Sequence, residues 1–200
     1  MTISGRRIGV LGGTFDPPHI GHVEIARAVR SALLLDEVLL VVANDPWQKS
    51  GSNHISPAED RLAMVASAVD GINGLRASSI EIDRGGPSYM IDTLSELADA
   101  APDDQFFLIL GADAAAGIPT WERHEQLPPL ATLVIVDRPG VDPIRLPPDW
   151  KVIHLQGPGM DVTSSRLREA LEQGEMDEAA IAPAVREYIT RHELYTVHHV

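Results

Sequence analysis

Residues 12–22 read Gly-Gly-Thr-Phe-Asp-Pro-Pro-His-Ile-Gly-His, and their surroundings decide the fold. Before them, Ile8-Gly9-Val10-Leu11 is a short apolar run fit for a parallel-sheet strand; after them, residues 23–34 are alanine-rich with apolar positions at helical spacing. The stretch is therefore a strand-to-helix turn. Gly12 and Gly13 let a ligand approach the backbone closely, Asp16-Pro17-Pro18 redirects the chain, and helix-start amides near Gly21 face an incoming anion. Thr14 and Phe15 complete the turn, which reads as a site for nucleotide phosphates.

Working outward, residues 8–11, 37–42, 75–82, 105–110, 132–136 and 152–155 are strand candidates, each bounded by turn residues or a helical pattern. Helices fill the gaps. Ser56-Pro57-Ala58-Glu59 reads as a start, with Ser56 as cap, Pro57 at the first helical position and Glu59 closing a capping box. An apolar stripe of Leu62, Val65, Ala66 and Val69 follows. A further helix is expected from about Ser88 to Ala100 with Ile91, Leu94 and Leu97 inward, and residues 165–172 and 183–191 give a helical C-terminal segment. Alternating strands and helices imply an α/β fold with a doubly wound, mostly parallel sheet, whose ligands bind at the carboxyl ends of the strands. Gly12, Asn44, Gly111 and Arg138 all lie just past expected strands.

Two hundred residues with 44% hydrophobic content suffice for a sizeable core, and no Pro/Gly/Ser-rich linker divides the chain, so residues 1–200 are expected to form a single domain. A net charge of -13 argues against nucleic-acid or anionic-membrane partners. Any positive charge beside a phosphate must be local. With no cysteine, disulfides, thiolate nucleophiles and cysteine-based metal sites are excluded. No apolar run reaches the roughly 18 residues of a membrane span, and the expectation is a cytoplasmic protein.

His19 and His22, three apart at a helix start, share a face and can present two imidazoles to one phosphate chain. The plainer alternatives are a zinc pair or two surface histidines; zinc normally takes three or four protein ligands, and no third histidine has fitting local spacing. A second constellation, Val162-Thr163-Ser164-Ser165-Arg166-Leu167-Arg168, sets hydroxyls before a helix with Arg168 three after Ser165, so amides, hydroxyls and a guanidinium converge. An ordinary Ser/Thr cap with solvated arginines is the alternative there. The two anion sites together suit a triphosphate held between the first and last strand-to-helix turns. Neither a P-loop nor a G-x-G-x-x-G fingerprint is present. The terminal His198-His199 reads as a tail, and the acidic stretch 172–178 as a solvated helix face.

These residues resemble the nucleotidylyltransferases with a T/HxGH motif and, among them, the bacterial nicotinate-nucleotide (nicotinic acid mononucleotide) adenylyltransferases. The resemblance covers nearly the whole chain: besides residues 12–22 it rests on Pro46-Trp47-Gln48-Lys49, Arg61 with Met64, Gly86-Pro87-Ser88-Tyr89 with Asp92-Thr93-Leu94, and Gly111-Ala112-Asp113. Pro119-Thr120-Trp121, Arg138-Pro139-Gly140, residues 162–168, Tyr188-Ile189 and Leu194-Tyr195 complete it. It implies a Rossmann-like nucleotidylyltransferase fold and adenylyl transfer from ATP to nicotinate mononucleotide in NAD biosynthesis, giving nicotinate adenine dinucleotide and pyrophosphate, with Mg²⁺ carried in by ATP. It further implies His19, His22 and Arg168 as catalytic residues, and Gly12, Gly13, Thr14, Phe15, Gly111, Asp113, Ser164, Ser165 and Arg168 around ATP. The acceptor would lie among Asn44, Lys49, Ser88, Tyr89, Met90, Trp121 and Arg138, with Asp113 on a ribose, Trp121 stacked on the pyridine ring, and amides at the helix start near Ser88 facing its carboxylate.

Read without the resemblance, Asp113 could as well be a helix cap and Trp121 a core or lid aromatic. An adenylyl- or cytidylyltransferase for another phosphorylated acceptor, such as pantetheine phosphate or nicotinamide mononucleotide, and a non-catalytic nucleotide-binding regulator are the rival readings. A class I aminoacyl-tRNA synthetase shares an HIGH-like motif, but the chain is too short and too acidic for one. The chain departs from the family at Met90, where threonine is usual beside the substrate carboxylate, at Val42 in place of a proline, and at Gln48 in place of a histidine. Met90 implies a retained but weaker preference for the acid over the amide mononucleotide. The oligomeric state, homo-oligomer included, is left open.

Overall fold

A computed structural model describes residues 5–46, 55–137, 149–160 and 162–196. Six strands, β1 (Arg7–Gly13), β2 (Glu37–Val42), β3 (Leu75–Ser78), β4 (Gln105–Gly111), β5 (Ala131–Asp137) and β6 (Val152–Gln156), form one sheet in the order β3-β2-β1-β4-β5-β6. Every neighbouring pair is parallel. Such a sheet is covered on both faces, which is why β2 and β4 read as continuous apolar runs rather than alternating ones.

The helices are α1 (Ile20–Leu33), α2 (Ala58–Val69), α3 (Ile80–Arg84), α4 (Met90–Ala100), α5 (Ala112–Ala116), α6 (Ser164–Glu172) and α7 (Pro183–Arg191). Two cores result. On one face Val23, Ala26 and Val29 of α1 and Met64 and Val65 of α2 pack with Leu40 and Val42 of β2 and with Val185 and Ile189 of α7. On the other, Ile91 and Leu94 of α4 pack with Leu39 and Val41 of β2, Leu108 of β4 and Leu133 of β5. Successive residues of β2 thus feed opposite cores, as the two-residue period of a strand requires. The strand order reverses between β1 and β4, and a crevice opens beyond their carboxyl ends at that switch point.

Three local expectations are corrected. The strand expected over 75–82 stops at Ser78, and residues 80–84 turn into α3. Ser79 donates its hydroxyl to Asp83 at 2.7 Å, and Glu81 turns inward to Thr93 of α4. The start of α2 lies one residue later than its capping signals suggest: Pro57 is the N-cap, while the Ser56 amide donates to Asp16 Oδ2 at 3.2 Å and its carbonyl accepts from Arg61. The inward face of α2 is also rotated. Arg61, Met64, Val65, Ala68 and Val69 are buried, and Ala66, expected inward, is exposed. Among the described residues no helix is long and apolar enough to cross a membrane.

Candidate active site

β1 delivers residues 12–22 to the carboxyl edge of the sheet, and α1 begins at Ile20 with His19 as its N-cap. His19 and His22 stack with ring centroids 3.6 Å apart, and the His19 amide donates to His22 Nδ1 at 3.2 Å. The expected shared face is therefore present. The Phe15 ring meets His22 edge-on at 4.9 Å. A Cβ at Gly21 would stand 3.0 Å from His19 Nδ1 and 3.1 Å from Val162 Cγ1, so glycine is what lets the imidazole and the 162 segment lie against the helix start.

His19 is only 8% exposed, and burial lowers its pKa from 6.5 to about 4. The ring is thus neutral near pH 7 and donates one N–H. Between those two values the unfolded chain binds a proton that the folded protein refuses. The stability contributed by a neutral His19 is accordingly complete above about pH 6.5 and lost as pH falls toward 4, at a cost of about 3 kcal/mol. In urea titrations from pH 7 down to 4.5, His19→Gln should lose less stability than the unmodified protein. Parallel curves for the two would refute this assignment.

The Asp16-Pro17 turn is gripped from far along the chain. Asp16 is 1% exposed; its Oδ1 accepts from Tyr195 Oη at 2.6 Å, and Arg168 Nη1 donates to its carbonyl at 2.6 Å. Burial and the Asp16 carboxylate hold the Tyr195 phenol well above its usual pKa, so it stays a donor. Ser164 Oγ donates to the Pro17 carbonyl at 2.9 Å. At the start of α6 the N-cap is Thr163, whose hydroxyl accepts from the Arg166 amide at 3.3 Å. The Ser/Thr-cap alternative therefore holds for Thr163, while Arg168 turns to the first motif and reaches Ser165 Oγ at 3.4 Å.

Two clefts meet over this edge. The smaller, about 170 Å³, is lined by Gly12, Gly13, Thr14, Ser88, Tyr89, Met90, Trp121 and Glu81 among others. The larger, about 590 Å³ and within the range of ligand sites, carries Gly12, His19, His22, Gly111, Ser164 and Ser165. Gly12, Leu110 and Ala114 belong to both.

Some expected residues fall elsewhere. Phe15 is a core residue, so only its backbone can reach a ligand. Asn44 lines neither cleft; its amide donates to Ser88 Oγ at 2.8 Å and its Nδ2 to the Gly86 carbonyl at 2.9 Å, tying the exit of β2 to the turn before α4. That same bond moves Ser88 out of α4, which begins at Met90 with Tyr89 as N-cap. Asp113 is exposed in the first turn of α5 and lines neither cleft; the cap is Gly111. Trp121 is half-buried against the second core and also lines the smaller cleft. Lys49, Arg138, Gln48 and His198-His199 lie outside the described residues.

Sequence reasoning left Arg61, Asp16, Glu81 and Asp137 without a role in the site. Arg61, 1% exposed, donates to four carbonyls: Ser56 at 2.9 Å, Thr14 at 2.9 Å, Ala43 at 2.6 Å and Asn44 at 3.0 Å. Its place on the apolar face of α2, three before Met64 and four before Val65, is the signal that could have found it. Asp137, buried at the end of β5, lines the larger cleft and meets His154 Nδ1 at 2.9 Å.

Comparisons with known proteins place the chain in a family. Residues 10–170 match the family model described as cytidylyltransferase-like. The chain is 43% identical over 202 residues to a protein of Roseiflexus sp. (strain RS-1) named "Probable nicotinate-nucleotide adenylyltransferase", covering 96% of this chain and 100% of that one. A Thermus thermophilus protein of the same name is 41% identical over 189 residues, covering 94% and 99%. In three dimensions the chain resembles Plasmodium falciparum nicotinic acid mononucleotide adenylyltransferase complexed with NaAD, with a TM-score of 0.76 at 18% identity over 95% of this chain and 97% of that one. The same enzyme complexed with APC gives 0.75. At that identity the likeness concerns the fold.

Proposed function

Because this chain belongs to the cytidylyltransferase-like family, we infer from its two joined clefts that it is a nicotinate-nucleotide adenylyltransferase. It transfers the adenylyl group of ATP to nicotinate mononucleotide, forming nicotinate adenine dinucleotide and pyrophosphate, in NAD biosynthesis. The observation that carries the reading is that Gly12, Leu110 and Ala114 join an aromatic-walled cleft to one lined by the histidine pair and the start of α6.

The nucleophile is a phosphate monoester oxygen, largely dianionic at neutral pH since its second pKa is about 6. No side chain has to remove a proton from it. The protein's task is to bring two polyanions into line and to stabilise charge on the α-phosphate and the departing pyrophosphate. His19, His22, the amides of the first turns of α1 and α6, Ser165 and Arg168 supply donors for that purpose, Ser164 contributing its amide because its hydroxyl is held by Pro17, and Gly12, Gly13 and Thr14 leave room for the reacting groups. The start of α4 at Met90 offers amides to the substrate carboxylate. Trp121 gives a flat face for a cationic pyridine ring. Lys49 is the residue assigned to the phosphates, Arg138 belongs to the set assigned to the acceptor, and Asp113 remains the residue assigned to a ribose.

Nucleotidyltransferases of this kind generally use a divalent metal with ATP. Among the described residues no cluster of three or more His, Cys, Asp or Glu side chains could cage an ion. Mg²⁺ would be carried in by the triphosphate, offsetting its charge. The dependence on ATP fits the cytoplasm, and residues 1–200 serve as one catalytic domain.

The test is pyrophosphate release with ATP and Mg²⁺, comparing nicotinate mononucleotide, nicotinamide mononucleotide and phosphopantetheine. Turnover led by nicotinate mononucleotide and abolished in His22→Ala is the expected result; turnover only with another acceptor overturns the substrate, and none at all favours a binding protein. Met90 lines the acceptor cleft, and its methyl lies 2.7 Å from where a Cβ on Gly12 would be. It supplies no hydroxyl to the carboxylate. Met90→Thr should raise the acid-to-amide ratio of kcat/KM by roughly ten-fold, the worth of about one hydrogen bond to a charged group; an unchanged ratio would refute that role for position 90.

A further inference from the structure

Glu81 is a carboxylate buried at the wall of the smaller cleft, 4% exposed, on a five-residue helix that the sequence reads as strand. Its Oε1 accepts from the hydroxyl of Thr93 at 2.6 Å, and Thr93 is fully buried. Arg84 Nη2 donates to that same hydroxyl at 3.1 Å, which leaves the Thr93 proton to Glu81. Arg84 itself pairs with Glu96 at 3.0 Å, not with Glu81. Among the described residues Glu81 forms no salt bridge. Its charge reaches Arg61 only through space.

Among the described residues this buried carboxylate is held by a single hydroxyl and has no direct cation, an arrangement that costs stability. Here it lines a cleft together with two aromatic residues, Tyr89 and Trp121. Resting on the acceptor assigned above, the complement is chemically specific. Nicotinate mononucleotide carries two anionic groups, its phosphate and its carboxylate, and one cation, the ring nitrogen made quaternary by its bond to ribose. Of these only the pyridinium is attracted by Glu81.

We propose that Glu81 is a specificity-determining residue that selects acceptors whose ring bears a fixed positive charge. Trp121 and Tyr89 supply the shape for a flat ring, and any aromatic ring of that size satisfies them. Glu81 distinguishes the cationic ring from a neutral one, and because Glu81 itself is buried, a charge pair there counts for more than in bulk solvent. Glu122 lines the same cleft but is exposed, so its charge is screened.

The test compares nicotinate mononucleotide with its carbon-linked analogue, in which a neutral benzoate ring replaces the pyridinium and the ribose phosphate is unchanged. KM for each is read from pyrophosphate release. The unmodified enzyme should prefer the cationic ring by more than ten-fold. Glu81→Gln, which keeps the shape and can still accept from Thr93, should erase most of that preference by raising KM for nicotinate mononucleotide while leaving KM for ATP unchanged. Glu122→Gln should alter it little. An equal KM for the two rings in the unmodified enzyme overturns the proposal without any variant. So does a Glu81→Gln enzyme that keeps the full preference. In both cases nicotinate mononucleotide still turns over, so the acceptor assignment stands; no product from it at all defeats that assignment and the proposal together.

Discussion

Arg61→Met is expected to lower the unfolding free energy by about 3–5 kcal/mol, the range for stripping one partner from a buried charged network, and to abolish most activity. The guanidinium donates to four carbonyls contributed by the exits of β1 and β2 and by the residue before the N-cap of α2. Methionine fills the space and satisfies none of them, and each buried acceptor left unpaired costs about 1–3 kcal/mol. Burial pulls the Arg61 pKa below the usual arginine value, with Asp16 the leading charge that opposes the shift. Asp16 would therefore also lose its nearby compensating charge. Arg61→Lys should recover only a fraction, because an ammonium cannot span four acceptors arranged about a planar fork. Thermal denaturation would register the change as a fall of about 10 °C for a chain of this length. A fall of only a degree or two would mean that water replaces the guanidinium and that the two loops hold their form without it.

Arg168→Ala should act on the reaction rather than on the fold. Two of its nitrogens are engaged, one with the Asp16 carbonyl and one, at longer range, with Ser165 Oγ. This fixes the guanidinium between the first turn of α6 and the histidine motif, with donor capacity remaining for a phosphate oxygen. Removing a donor that meets developing charge typically costs 10²–10³ in rate, about 3–4 kcal/mol of barrier. We expect kcat to fall by roughly that factor, with KM for nicotinate mononucleotide changed less than three-fold and stability in urea lowered by no more than about 1–3 kcal/mol, the cost of unpairing the Asp16 carbonyl. Arg168→Lys should restore little, since a point charge cannot hold the carbonyl and meet a phosphate at once. If KM rises and kcat survives, Arg168 serves ground-state binding instead.

The periodicities that place strands and helices are local, and all six strands and the principal helices were legible in them. The histidine pair and the start of α6 were legible too, because glycine, hydroxyl and basic residues at strand-to-helix turns follow from backbone geometry. What escaped is long-range. Glu81 sits in a run, Leu75 to Ile82, whose composition suits a strand. Its contact with Thr93, twelve residues on, and the Ser79–Asp83 bond accompany the end of the strand at Ser78. Asp16 reads as a turn residue because its partners are Ser56 and Tyr195, the latter 179 positions away. Arg61 was legible in principle, since shifting the stripe of α2 by one position buries it with Met64, Val65 and Ala68. A reading that puts charged residues outside by default chooses the other face. The likeness to known adenylyltransferases pointed to Arg61 without supplying the reason, which the four carbonyls provide.

Gly12, Leu110 and Ala114 line both clefts, and the one nearest the phosphate-binding turn is Gly12. Because Gly12 projects no side chain into that shared edge, the attacking oxygen and the electrophilic phosphorus would meet over bare backbone with nothing between them. A bulkier residue there would serve as a spacer, and each substrate could still occupy its own side. The penalty would fall on the encounter between them, so that a protein fully competent to hold both molecules would keep them a bond length or more too far apart to react.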